Sequence, residues 1–86
     1  MSSPRMHPFQ EFSVYVKNVG VTSITLPEIG GYELDPDEEI NMLDPELPTG
    51  HYNDPGAVLR ALNDLKGTVL YQQREAGNLT YRIEPR

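Results

Sequence analysis

The fold of this chain is decided by residues 12–34, which read FSVYVKNVGVTSITLPEIGGYEL. At the start of this stretch, Phe12, Val14 and Val16 alternate with more polar side chains. A period of two places the apolar side chains on one face of a β-strand. Asn18 and Gly20 then interrupt the alternation with residues that tolerate positive φ. The stretch therefore predicts a half-buried strand followed by a turn.

Shorter strands are predicted over the residues that follow. Residues 22–26 alternate again, include β-branched side chains and end at a proline, which cannot donate a hydrogen bond within a sheet. Gly30-Gly31 predicts a flexible turn before a short strand at 32–34. Residues 35–38, DPDE, predict a type I turn with proline at its second position, and apolar residues return at 40–43. Short connections favour an antiparallel meander.

A loop and a helix are expected next. Residues 44–52, DPELPTGHY, contain two prolines and a glycine and predict an ordered surface loop. Asn53 or Asp54 can accept the first free amide hydrogens of a helix, and Pro55 suits its first position. The helix is expected over about 55–66, with one face packed on the sheet. Its apolar residues at helical spacing are Val58, Leu59, Leu62 and Leu65.

The C-terminal part of the chain is interpreted as a hairpin. Residues 68–72 predict a strand, residues 75–78 a turn, and Leu79, Tyr81 and Ile83 the inward face of a last strand. The expected fold class is α+β, mainly β, with a small antiparallel sheet or sandwich-like meander of about five or six short strands and one α-helix. Residues 12–86 are expected to form this single β-rich domain.

An extended arm is predicted for Met1 to Glu11, MSSPRMHPFQE, because it has two prolines and no periodic apolar pattern. Two interpretations remain open, a disordered tail and an arm that docks on a neighbouring subunit through Met6, Pro8 and Phe9. The segment lacks the apolar core of a signal peptide, and no run in the chain approaches the roughly 18 apolar residues of a membrane span. Synthesis in the cytosol and no membrane partner are therefore expected.

Composition limits the classes of function. Thirteen acidic and seven basic side chains give a formal charge of −6, and the basic residues are scattered. Binding to phosphate backbones requires clustered positive charge, so nucleic acid is not an expected partner. The chain has no cysteine, which excludes disulfides, thiolate zinc sites and cysteine nucleophiles.

The sequence offers little that could support catalysis or metal binding. His7 and His51 have no second histidine at metal-ligand spacing. The acidic run at 35–39 lacks the glycine and the distal glutamate of a calcium-binding loop. A small hydrolase would need a carboxylate pair or a histidine dyad across a cleft, which the sequence does not indicate. We therefore expect a domain that is not an enzyme, without cofactor or metal, and that works by binding other protein chains.

The best interface candidates outside the arm are tyrosines and one loop. Tyrosine combines a large apolar area with a polar group and is common at protein interfaces. Tyr15 and Tyr71 lie opposite apolar neighbours in the predicted strands, so their side chains are expected to face outward. Leu47 and Pro48 in the predicted loop complete this set.

Four segments resemble the small virion structural proteins of tailed bacteriophages. They are VKNV at 16–19, ITLP at 24–27, LDPDEEINML at 34–43 and DPGAVLRAL at 54–62. In that family a strand ending in an asparagine turn leads to a short strand, a hairpin, a helix and a closing strand pair. The resemblance spans 14–83 and departs from the family at Asp37, where the hairpin usually has glycine.

The resemblance implies a structural protein of the phage virion, made in the host cytoplasm. The favoured role is a decoration, cement or minor capsid protein that binds and braces the major capsid protein or other virion proteins, as a homo-oligomer in the particle. The alternatives are a tail, baseplate or head-to-tail connector component, a ligand-binding β domain such as a host-surface glycan binder, and a regulatory subunit of a cellular complex. An exposed aromatic platform would distinguish the glycan binder.

Overall fold

A computed structural model of the protein describes residues 12–85. Within this range the chain forms a small α+β structure that is mostly β, as expected for the fold class. Its elements in chain order are β1 (Phe12–Asn18), β2 (Ile24–Leu26), a 3₁₀ helix (Pro27–Ile29), β3 (Tyr32–Leu34), β4 (Glu39–Asn41), α1 (Pro55–Asn63), α2 (Val69–Glu75) and β5 (Leu79–Pro85). The predicted arm at 1–11 lies outside the described residues.

The strands form two antiparallel sheets and do not follow one meander. The larger sheet has the order β4-β1-β5, and β2 pairs with β3 in a separate hairpin. In the larger sheet Val16 faces Ile40 on one side and Tyr81 on the other. The chain therefore leaves the central strand, forms the hairpin and returns to the first sheet at β4.

The expected strand at residues 68–72 is wrong, because this segment begins the second helix. Thr68 Oγ1 accepts a hydrogen bond from the Tyr71 N–H at 3.1 Å, which caps the helix locally. Glu28 belongs to the 3₁₀ helix, and its carboxylate accepts hydrogen bonds from the N–H groups of Val69 and Leu70. These contacts satisfy the first amide hydrogens of α2 and override the strand preference of its β-branched and aromatic residues.

Helix α1 begins where the sequence predicts and ends earlier. Asp54 accepts from the Gly56 N–H at 3.0 Å, and Pro55 occupies the first helical position. The helix stops at Asn63, so Leu65 lies in the turn beyond it and is 45% exposed instead of packed on the sheet. Ile83, expected on the inward face of β5, is 47% exposed because it lies near the far end of an edge strand.

The turn at 35–38 is type II and not the expected type I. The Glu38 N–H donates to the Asp35 carbonyl at 3.0 Å, which closes the turn. Asp37, its third residue, has a φ of 69°, and a positive φ at this position is the mark of a type II turn. The Asp37 N–H donates to the Asn18 carbonyl at 2.7 Å and fixes the turn against β1.

One apolar cluster forms the core. Helix α1 packs on β1, and α2 packs on β5, on β2 and on the 3₁₀ helix. The two helices therefore cover the inward face of the larger sheet. The buried members of the cluster are Val14, Val16, Ile24, Leu26, Ile29, Leu34, Ile40, Met42, Leu43, Val58, Ala61, Leu62, Leu70 and Leu79.

Asn18 is a fully buried polar residue that joins the two sheets. Its side-chain amide donates to the carbonyls of Thr22 at 2.8 Å and Leu34 at 2.9 Å. Its side-chain oxygen accepts from the Gly20 N–H at 2.8 Å. Burial of an amide without partners would be costly, and here both polar atoms are satisfied. The residue predicted as part of a turn therefore also links the end of β1 to β3.

Candidate interface surfaces

An open groove beside helix α1 is the first candidate site. Its volume is about 610 Å³. The half-buried Leu59 and the exposed Leu65 supply apolar surface, and the charged Arg60 and Asp64 also line it. The other lining residues are Tyr52, Asp54, Gly56, Ala57, Ala61 and Asn63. An apolar surface with charged neighbours is the composition expected where a partner's side chains are bound.

Tyr52 is held in the groove by its backbone. The Tyr52 N–H donates to the Met42 carbonyl at 2.8 Å, so the loop before α1 is tied to the end of β4. Burial of the phenol, and secondarily the nearby Glu28 carboxylate, raise the pKa of Tyr52. The phenol is protonated at neutral pH, as in any ordinary tyrosine, and can donate a hydrogen bond.

The loop that carries Tyr52 is docked tightly on the 3₁₀ helix. Gly30 has a φ of 78°, and a Cβ built there would lie 2.9 Å from the Thr49 carbonyl carbon and closer still to its oxygen. A Cβ at Gly50 would lie 3.3 Å from the Ile29 carbonyl. Two backbones approach each other here at glycine positions, which fixes the loop and hence one wall of the groove.

The outer face of the larger sheet is covered by an ion pair. Arg82 of β5 extends across Tyr15 of β1, with its guanidinium carbon 4.4 Å from the ring centroid. Its Nε and Nη2 each donate to the Glu39 carboxylate of β4 at 3.0 Å, and its Nη1 donates to Glu84. The hydrogen bond to Arg82 lowers the pKa of Glu39. A single side chain thus spans all three strands of this face.

The predicted interface residues lie on separate elements. Tyr15 is half-buried beneath Arg82, so a partner would contact the tyrosine ring only at its edge or after the Arg82 guanidinium moves aside. Leu47 packs against the core, whereas its neighbour Pro48 is exposed in the same loop. Tyr71 is half-buried in α2. Met6, Pro8 and Phe9 lie outside the described residues, and the role of the whole set stays a prediction.

Two surfaces were missed by sequence reasoning. The groove at α1 was missed because Leu59 and Leu65, two of the residues that line it, were expected to pack on the sheet. The exposure of Leu65 follows from the early end of the helix, for which the neighbouring Asn63 and Asp64 were a possible signal. The second surface, the free edge of β5, depends on the strand order, which no local pattern encodes.

Several acidic side chains in the described range serve turns and caps. Glu38 accepts from the Tyr32 hydroxyl and, at 2.9 Å, from the Asp35 N–H. The first of these hydrogen bonds is the main reason that the pKa of Tyr32 rises to about 12. Asp44 accepts from the Glu46 N–H at 2.9 Å. Within residues 12–85, no cluster of three or more histidine or acidic side chains could hold a metal ion.

The Nδ1 atom of His51 lies 3.0 Å from the Tyr52 carbonyl oxygen, a contact that orients the imidazole along the loop.

Among the helices of the described range, none has the length and apolar character needed to cross a membrane. Comparison of the chain with protein-family models, curated proteins and solved structures found no match.

Proposed function

We propose that this chain is a non-enzymatic structural protein that binds neighbouring protein subunits, and that the groove beside α1 is one of its contact surfaces. The observation that carries this proposal is the combination of exposed Leu65 and half-buried Leu59 with charged neighbours. The resemblance to small virion proteins supplies the context. In that context the protein braces the capsid of a tailed bacteriophage as a decoration or minor capsid protein.

The shape and composition of the groove favour a protein partner. Its volume lies in the range of about 300 to 1,000 Å³ typical of ligand sites, yet it is an open surface and not an enclosed pocket. An apolar side chain of a partner can contact Leu59 and Leu65 while polar groups at the edge reach Arg60 and Asp64. This arrangement corresponds to an anchor residue surrounded by a polar rim.

The distribution of charge supports the same proposal. Glu28 and Asp54 cap helices, Glu38 closes a turn, and Glu39 is paired with Arg82. These carboxylates stabilise the fold instead of converging on a cleft as a general acid and base would. The surface therefore fits a subunit whose work is to form stable contacts.

The test is co-sedimentation of the purified chain with empty capsids assembled from the major capsid protein of a tailed phage. We expect saturable binding with a fixed ratio to capsid subunits. Leu65→Glu should weaken binding by about tenfold or more, because it places a charge where the partner's apolar side chain packs. Val21→Glu is the matched control, since Val21 is 92% exposed and lies away from the groove.

Two results would refute the proposal. A chain that does not bind capsids in a saturable manner is not a capsid-bracing protein. Equal weakening by Leu65→Glu and Val21→Glu would show that the groove is not the contact surface. Circular dichroism of both variants must first show the wild-type spectrum, so that a loss of binding reports on the surface and not on folding.

A further inference from the structure

The outer edge of β5 exposes backbone groups that no described strand uses. The Val19 N–H donates to the Asn78 carbonyl at 2.9 Å, which fixes the hydrogen-bonding phase between β1 and β5. Bonds in an antiparallel pair alternate along the strand, so the backbone groups of Thr80, Arg82 and Glu84 bond to β1. The backbone groups of the alternate residues, Leu79, Tyr81, Ile83 and Pro85, point to the free edge.

The other side of β1 confirms this phase. Val14 and Asn18 bond to the β4 side, where the Asn18 N–H donates to the Glu38 carbonyl at 3.0 Å and the Val14 carbonyl accepts from Met42 at 2.9 Å. Tyr15 and Lys17, which alternate with Val14, Val16 and Asn18 along β1, are therefore the residues that bond to β5. The free edge of β5 presents the N–H and C=O groups of Tyr81 and Ile83, and only the C=O of Pro85, to a possible partner strand.

We propose that two copies of this chain pair antiparallel through the edges of β5, with Ile83 opposite Ile83. This joins two three-stranded sheets into one sheet of six strands. Such pairing is isologous, because the same surface of each copy contacts the other. The proposal goes beyond the function proposed above and uses none of the residues of the α1 groove.

The charges select this register. With Ile83 opposite Ile83, Arg82 of each copy faces Glu84 of the other, so opposite charges meet twice. Pairing Tyr81 with Ile83 would place Arg82 against Arg82, and pairing Ile83 with Pro85 would place Glu84 against Glu84. Centring the pair on Tyr81 would place Arg82 against Thr80 and form no ion pair. Of these four registers, only one is electrostatically complementary.

Packing favours the same register. Ile83 is 47% exposed in one copy and would be covered by Ile83 of the other, which removes apolar surface from water. Tyr81 would face Pro85 of the second copy, beside a depression of about 370 Å³ formed in part by Arg74, Gly77 and Tyr81. The missing N–H of Pro85 ends the hydrogen-bonded ladder there.

The test is the oligomeric state of the full chain, measured by light scattering and sedimentation over a range of concentrations. We expect a reversible dimer with twice the monomer mass. Glu84→Arg should weaken the dimer about tenfold, because Arg82 of each copy would face an arginine. Glu46→Arg makes the same charge change at an exposed loop position and should leave dimerisation unchanged.

A charge exchange makes the experiment specific to the register. Arg82→Glu alone also places like charges opposite each other and should weaken the dimer. Mixing the Arg82→Glu and Glu84→Arg variants restores both opposite-charge pairs, so the mixture should form a heterodimer of near wild-type affinity. Arg82→Glu also removes the Glu39 ion pair, so circular dichroism must show that this variant is folded.

As a second approach, Ile83→Pro removes the outward N–H together with the isoleucine side chain at the centre of the pair, and it should abolish the dimer while the fold persists. A chain that stays monomeric at its highest soluble concentration would overturn the proposal. So would a dimer that Glu84→Arg and Glu46→Arg affect equally, or a mixture of the two charge variants that fails to associate. These results would leave the capsid experiment and its Leu65→Glu variant unaffected, so the two proposals can fail separately.

Discussion

Replacing Gly30 by alanine should destabilise the protein more than the same change at Gly31. Both residues have positive φ, 78° and 89°, so alanine at either position adopts a strained backbone that costs about 1–2 kcal/mol. The two sites differ in their surroundings. A Cβ at Gly30 would lie 2.9 Å from the Thr49 carbonyl carbon, whereas a Cβ at Gly31 has no atom within 4 Å.

The contact with Thr49 sets the expected difference. Its carbonyl is backbone, so it can yield only if the loop moves, and overpacking of this kind costs about 1–3 kcal/mol. Gly30→Ala should therefore lower the free energy of unfolding by about 2–5 kcal/mol and Gly31→Ala by about 1–2 kcal/mol. The same displacement would shift Tyr52, since Thr49 belongs to the loop that positions it.

Urea unfolding followed by circular dichroism measures both variants. The midpoint should fall in the order wild type, Gly31→Ala, Gly30→Ala with an unchanged slope, which reports stability alone. For a domain of this size, about 1 kcal/mol corresponds to a shift of roughly 4–8 °C in melting temperature. Equal losses at the two positions would refute the inference that the loop is docked on the 3₁₀ helix at Gly30.

Three further perturbations test other contacts. Asn18→Ala should lower the free energy of unfolding by about 2–4 kcal/mol, because buried groups lose their hydrogen bonds. Ser23→Ala, which removes an exposed hydrogen bond, should lower it by less than about 1 kcal/mol in the same urea titration. Folding raises the pKa of Tyr32 from 10.0 to about 12, so its contribution to stability is complete below pH 10 and is lost as the pH rises through 12. Unfolding midpoints measured at several alkaline pH values should show this loss of stability. Tyr32→Phe should remove this pH dependence. Glu28→Ala should lower the melting temperature by the equivalent of about 1–2 kcal/mol, because α2 loses a cap, and Glu28→Gln should lose less.

Each of these expectations has a clear contrary result. Similar losses for Asn18→Ala and Ser23→Ala would mean that the buried amide does not join the sheets. An alkaline stability profile that Tyr32→Phe leaves unchanged would assign the loss to other groups. If Glu28→Gln is as destabilising as Glu28→Ala, the hydrogen bonds retained by glutamine do not cap α2.

Local patterns were sufficient to predict β1 and the start of α1. In β1 the alternation predicts the burial of Val14 and Val16, whereas at the start of the strand Phe12 is half-buried and Ser13 is buried. In α1 the cap at Asp54 and the proline after it act within one turn of the helix. Both signals are complete within a few residues, so tertiary structure had little opportunity to change them.

The remaining differences come from contacts distant in sequence. Helix α2 was expected as a strand because its first residues favour β structure, whereas Glu28, which caps it, lies 41 residues before Val69. Tyr15 lies on the outer face as expected, but Arg82, from the other end of the chain, covers its ring. The groove at α1 depends on where the helix ends, and the free edge of β5 on the order of strands. Neither is encoded by a periodic pattern.

Asn18 also determines whether the two sheets unfold separately or together. A two-stranded hairpin is marginally stable by itself, and β2 and β3 have three residues each. The Asn18 amide bonds the Leu34 carbonyl at the end of β3, so separating the hairpin from the larger sheet exposes a buried polar group on both sides. The two sheets should therefore lose their protection from hydrogen exchange in one cooperative event, and Asn18→Ala should divide it into two.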